Sequence, residues 1–162
     1  MGLKESGLRG SLRNVSVGIV AIPDSEVSRP QDNGTGTDIT DKRGVEINPN
    51  TNLSKVRGTI SANTSGLTRA YIIDLSDNST LADVDVSGLS AGDDFDITVA
   101  LSSGQSYAFV ADAEGGTYSS GFNDDSTFPF TSEHVDITGG ILNNTEDSVN
   151  PLNIVTVGAF VA

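Results

Sequence analysis

The chain has 162 residues, enough for one domain with a sizeable core and an appendage. Its 22 acidic and 9 basic side chains leave a net charge of −13, which argues against nucleic acid and anionic membranes as partners, because both call for a basic patch. Cysteine is absent, which excludes a disulfide framework and a thiolate metal centre, and no run approaches the ~18 apolar residues of a membrane span.

The charge is unevenly placed. After Arg69 there is no Lys or Arg, whereas residues 1–57 carry Lys4, Arg9, Arg13, Arg29, Lys42, Arg43, Lys55 and Arg57 against nearly as many acids. Unscreened, such an acidic body repels itself; at molar salt the Debye length falls to about 3 Å and the repulsion nearly vanishes. Aspartate far outnumbers glutamate, lysine is scarce, and Thr, Ser, Gly and Asn are abundant. This balance suits a salty, extracellular medium.

Residues 1–22 read as an arm, the alternative being a first strand of the same domain. Gly2, Gly7 and Gly10 interrupt any helix. Leu3, Leu8 and Leu12 are apolar anchors with too few neighbours for a core of their own, and Arg9 and Arg13 are placed to meet acids on a partner. Val15, Val17 and Ile19 alternate with smaller residues in a strand-like pattern. The longest apolar stretch, Val17–Ile22, is too short for a signal-peptide core. Residues 23–43, with Pro23, Pro30, Gly34 and Gly36 and no periodicity, read as a linker.

Residues 44–162 read as the β-domain. From Gly44 the period is two: Val56, Gly58 and Ile60; Ala70 and Ile72 against Tyr71 and Ile73; Phe95, Ile97, Val99 and Leu101; Tyr107 and Phe109; Val135 and Ile137. Ile154 is followed by Val155, Val157 and Ala159 on the opposite parity, which predicts a bulge near Ile154. Turn clusters separate these runs, and no stretch shows a helical period. The expected fold is all-β: an antiparallel β-sandwich, jelly-roll-like, with an extended N-terminal arm.

Catalytic chemistry is thin. The one histidine, His134, stands beside a strand-like run without a GxSxG elbow, and the chain has neither a P-loop nor a dinucleotide-binding glycine motif. An enzyme is not expected, nor a cofactor. Asp93, Asp94 and Asp96, together with Asp124 and Asp125, stand in short acidic turns whose oxygens suit Ca²⁺, though without EF-hand spacing; the alternative is solvated acidic surface. Tyr118 and Phe122, set among Gly, Ser and Asp in the stretch Gly115–Pro129, are the candidate host-contact anchors. Phe128 and Phe130 either join them or plug the open end of the sandwich.

The opening Lys4-Glu5-Ser6-Gly7-Leu8-Arg9-Gly10-Ser11-Leu12-Arg13-Asn14-Val15-Ser16 resembles the start of a group of virion proteins from haloarchaeal tailed viruses. In that group a similar leader, followed by a segment like Ile22-Pro23-Asp24, precedes differing β-sandwich domains. Gly44–Asn50, Ile60–Tyr71 and Leu101–Ala113 are also similar to β-domains of such viral surface proteins. The resemblance implies a shared docking peptide with an interchangeable head, located in the virion. Its expected partners are other virion proteins, further copies in a trimer or pentamer, and a host surface glycoprotein or glycan. A tail fibre or baseplate component aiding host attachment is the first expectation and a capsid-surface turret the second. A secreted carbohydrate-binding module or glycosidase is the expectation of a different class, and would have no use for the arm.

Overall fold

The structure is a computed structural model and describes residues 21–123, 127–142, 145–147 and 154–162. In chain order the strands are β1 (Ser25–Ser28), β2 (Gly34–Ile39), β3 (Arg43–Pro49), β4 (Leu53–Ile60), β5 (Arg69–Asp74) and β6 (Ser79–Asp85), followed by β7 (Asp94–Leu101), β8 (Tyr107–Asp112), β9 (Tyr118–Phe122), β10 (Val135–Leu142), β11 (Thr145–Asp147) and β12 (Ile154–Val161). Every pairing is antiparallel, and there is no helix among the described residues.

One sheet runs β1-β12-β4-β7, a second β11-β10-β3-β8-β5-β6, and β2 pairs with β9 in a small third. Consecutive strands alternate between the two large sheets: β3 to β4 to β5, then β6 to β7 to β8. With β1 and β12 added, and β10 and β11 as an insertion beyond β3, this is the interleaved connectivity of a jelly roll. The sandwich expected from the period of two is therefore present.

The inner faces explain the period. Val56, Ile60, Phe95, Ile97, Leu101 and Val157 from the smaller sheet meet Val45, Ile47, Ile72, Phe109, Val135 and Ile137 from the larger in one core. Phe95 and Phe109 bridge the sheets edge to face, with ring centroids 5.7 Å apart. Gly58, on β4 beneath them, leaves the space both rings occupy; a Cβ there would lie 2.7 Å from the tip of each. The bulge expected near Ile154 is the register shift of β12 against β4 between Ile154 and Thr156.

The linker expected over residues 23–43 is not observed. This stretch contains β1, paired with β12, and β2, paired with β9. Only Val27 of β1 and Ile39 of β2 are buried apolar residues, so backbone pairing carries both strands and no hydrophobic period marks them. The arm residues Leu3, Leu8, Arg9, Leu12 and Arg13, and the acids Asp124 and Asp125, lie outside the described residues.

Candidate functional site

The acidic turn at the head of β7 divides its carboxylates among separate partners. Asp93 accepts the Ser90 N–H at 2.7 Å, and Asp94 accepts the Thr59 hydroxyl at 2.6 Å. Asp96 faces β4, where Arg57 Nε donates to it at 2.7 Å and Lys55 Nζ at 2.9 Å. The Arg57 hydrogen bond, with help from Lys55 and against burial, holds the Asp96 carboxyl below the usual carboxylate range. Phe160 of β12 completes the cluster, with Lys55 Nζ 3.7 Å from its ring centroid. Asp96 is thus occupied by two cations. Among the described residues no three His, Asp or Glu side chains are arranged to hold a metal. The expected convergence of Asp93, Asp94 and Asp96 on Ca²⁺ is corrected to a local turn bond, a cross-strand hydroxyl bond and an ion-pair bridge.

The aromatic stretch is also differently built. Tyr118 opens strand β9 opposite Ile39 and is 3% exposed, its hydroxyl donating to the Asp41 carbonyl at 2.6 Å. It is a buried anchor for β2 rather than an exposed contact. Phe122 is half-buried over Gly34, where a Cβ would overlap its ring. Phe128 and Phe130 meet edge to face at 5.3 Å and pack, partly buried, against the core, with Phe130 bridged to Ile137 of β10. The correction has one cause: Ser and Gly look like loop residues in sequence, but Ser119, Ser120 and Gly121 form the middle of strand β9, between Tyr118 and Phe122 at its ends.

His134 lies 3.9 Å from Glu133, and the peptide N–H of His134 donates to Ser25 Oγ; neither contact activates a nucleophile. An open cleft of about 260 Å³ lies between the end of β4, the β6–β7 loop at Ala91 and Gly92, and the start of β12. Its polar side chains are Gln31, Thr59 and Thr156, over Ile60, Ala62 and Val155. Thr59 is engaged by Asp94, and Thr156 shares a 2.7 Å hydrogen bond with Ser28. The cleft lining therefore offers no acid or base for proton transfer.

One buried polar constellation escaped the sequence. Arg29 and Asp32 form an ion pair at 2.6 Å with both side chains 0% exposed. Arg29 also donates to the Ile154 carbonyl at 3.2 Å and the Pro30 carbonyl at 2.7 Å. Burial is the larger influence on this guanidinium and lowers its pKa, while Asp32 opposes it. Asp32 in turn seats against Gly121 of β9, where a Cβ would overlap its carboxylate. The pair ties the β1–β2 connection to β12 and β9. An Arg and an Asp three apart in a Pro-rich stretch gave no signal of burial.

Comparison of the chain with protein-family models, curated proteins and solved structures yields no match.

Proposed function

We propose that this protein is a structural component of a haloarchaeal tailed-virus particle, anchored by its N-terminal arm and displaying the acidic β-sandwich outward as a tail-fibre or baseplate part that aids host attachment. The observation that carries this reading is the division of the chain. A locally basic leader with the Lys4–Ser16 pattern of such virion proteins precedes a body that has no Lys or Arg after Arg69. A jelly-roll body suits display, since its two packed sheets hold loops at the ends while β1, the first described strand, lies at a sheet edge.

The test is incorporation into particles. Burying a leucine contributes roughly 1.5–3 kcal/mol, so Leu8→Asp with Leu12→Asp removes two anchors and introduces two charges. Particles assembled with that variant should lack the protein, while its circular dichroism and melting match the parent. Particles carrying it at the parent's copy number would refute the arm as anchor. Immunogold labelling of intact particles distinguishes a tail location from a capsid turret.

A further inference from the structure

We propose that β6 is a strand-acceptor edge, and that residues 15–20 of a second copy of this chain add to it, joining copies head to tail.

β6 is the outermost strand of the six-stranded sheet and pairs only with β5 among the described residues. Ser79, Thr80, Leu81, Asp83 and Asp85 are all exposed. Leu81 is 43% exposed and, among the described residues, is one of three exposed large apolar side chains, with Ile22 and Val161. An open edge with an exposed leucine is a template for another strand unless it is guarded.

The guard is acidic. Asp83 is paired with Arg69 across the sheet. Asp77 and Asp85 are fully exposed, and bonds from Ser79 and Ser87 keep their carboxyls ionised. Such an edge disfavours acidic strands, and residues 70–162 have no Lys or Arg to offset their acids. Residues 1–20 are different: Lys4, Arg9 and Arg13 outweigh Glu5, and Val15, Val17 and Ile19 alternate in strand fashion. Residues 15–20 combine that period with no acidic side chain, and Arg13 stands two residues before them, so this segment adds no repulsion at the edge.

Reach makes the pairing intermolecular. The leader joins the described chain at Ala21, beside β1, where Asp24 N–H bonds to the Ala159 carbonyl and Ile22 is 84% exposed. β1 lies at one lateral end of the sandwich, over β10; β6 lies at the other, against β7. Four strand spacings separate β10 from β6, about 19 Å at roughly 4.8 Å each. Val20 adjoins Ala21, and a residue spans at most about 3.6 Å, so residues 15–20 cannot lie along the β6 of their own chain. Donor and acceptor at opposite ends make a heterologous contact, which closes into a ring or runs on as a chain. The proposal needs no other virion protein and stands apart from the particle reading.

The chain contains no cysteine, which permits a clean cross-linking test on the full-length protein in molar NaCl. Leu81→Cys is combined in turn with Ser16→Cys, Val17→Cys and Gly18→Cys, covering the register, and each is oxidised mildly and run on a non-reducing gel. At least one double variant should give a ladder of linked copies, and the matching two single variants, mixed, should stop at a dimer. Adding Ile19→Pro, which removes a strand donor and leaves all three cysteine positions free, should abolish the ladder and lower the oligomer mass in light scattering. Three results would overturn the proposal: a link within one chain, dimers from Leu81→Cys alone, or a monomer with no link in any pair.

Discussion

Replacing Asp32 by Ala should be among the most damaging single changes outside the apolar core. The carboxylate is 0% exposed and bonds a guanidinium that is equally buried. After truncation Arg29 retains the Ile154 and Pro30 carbonyls but has no counter-charge where Asp32 stood. Removing one partner of a buried pair costs about 3–5 kcal/mol, because a charge is left in a poorly solvated site. Set against a total stability of roughly 5–15 kcal/mol for such a domain, that is a large share. For a chain of this size it corresponds to a fall in Tm of about 6–20 °C. Thermal and urea unfolding, followed by circular dichroism at fixed molar salt, measures it. Because solvent ions do not reach the pair, the loss should be the same at 1 M and 3 M salt. The double change Arg29→Met with Asp32→Leu removes both charges and should cost less than Asp32→Ala alone. A single-variant loss below about 1 kcal/mol, or a double variant worse than the single, would show that loss of the Asp32 counter-charge is not what destabilises the variant.

Four further outcomes are expected. Burial, then the Asp112 charge, pushes the Tyr71 hydroxyl up to about 12; the stability this confers is complete below the ordinary tyrosine pKa of about 10 and lost as pH rises toward 12. Absorbance titration should show a late tyrosine component that moves earlier in Asp112→Asn. Asp96 has a depressed carboxyl pKa, so its contribution is present above the unfolded value near 3.9 and disappears as pH falls through the folded one; Asp96→Asn should flatten the acid limb of the stability curve, and an unchanged limb would count against the bridge. Gly58→Ala should destabilise by about 1–3 kcal/mol through overpacking, because Phe109 is 0% exposed and both rings are locked edge to face; a stabilised variant in urea titration would show that the rings yield. Tm should rise steeply from millimolar to molar NaCl as the charge of −13 is screened, whereas a flat profile would contradict the salt-adapted reading.

The sequence by itself determined the fold class, because a period of two over Val56–Ile60, Phe95–Leu101 and Val135–Ile137 is a direct record of which side chains face a core. The parity break at Ile154 announced a bulge for the same reason, since one extra residue moves every later side chain to the other face. Charge placement, too, is legible without coordinates. What only the tertiary structure decided are matters of pairing. β1 and β2 are held by backbone bonds and one buried residue each, so they leave no hydrophobic trace. The fate of Asp96 depends on the register that sets Arg57 opposite it and Lys55 beside it, and register is a long-range property. Tyr118 and Phe122 read as loop residues because local composition cannot say that β2 covers them. Arg29 and Asp32 are neighbours in sequence, but their burial comes from β12 and β9, more than eighty residues away. Side-chain period is a local property and survives in the sequence; strand partners are chosen by closure of the whole sandwich.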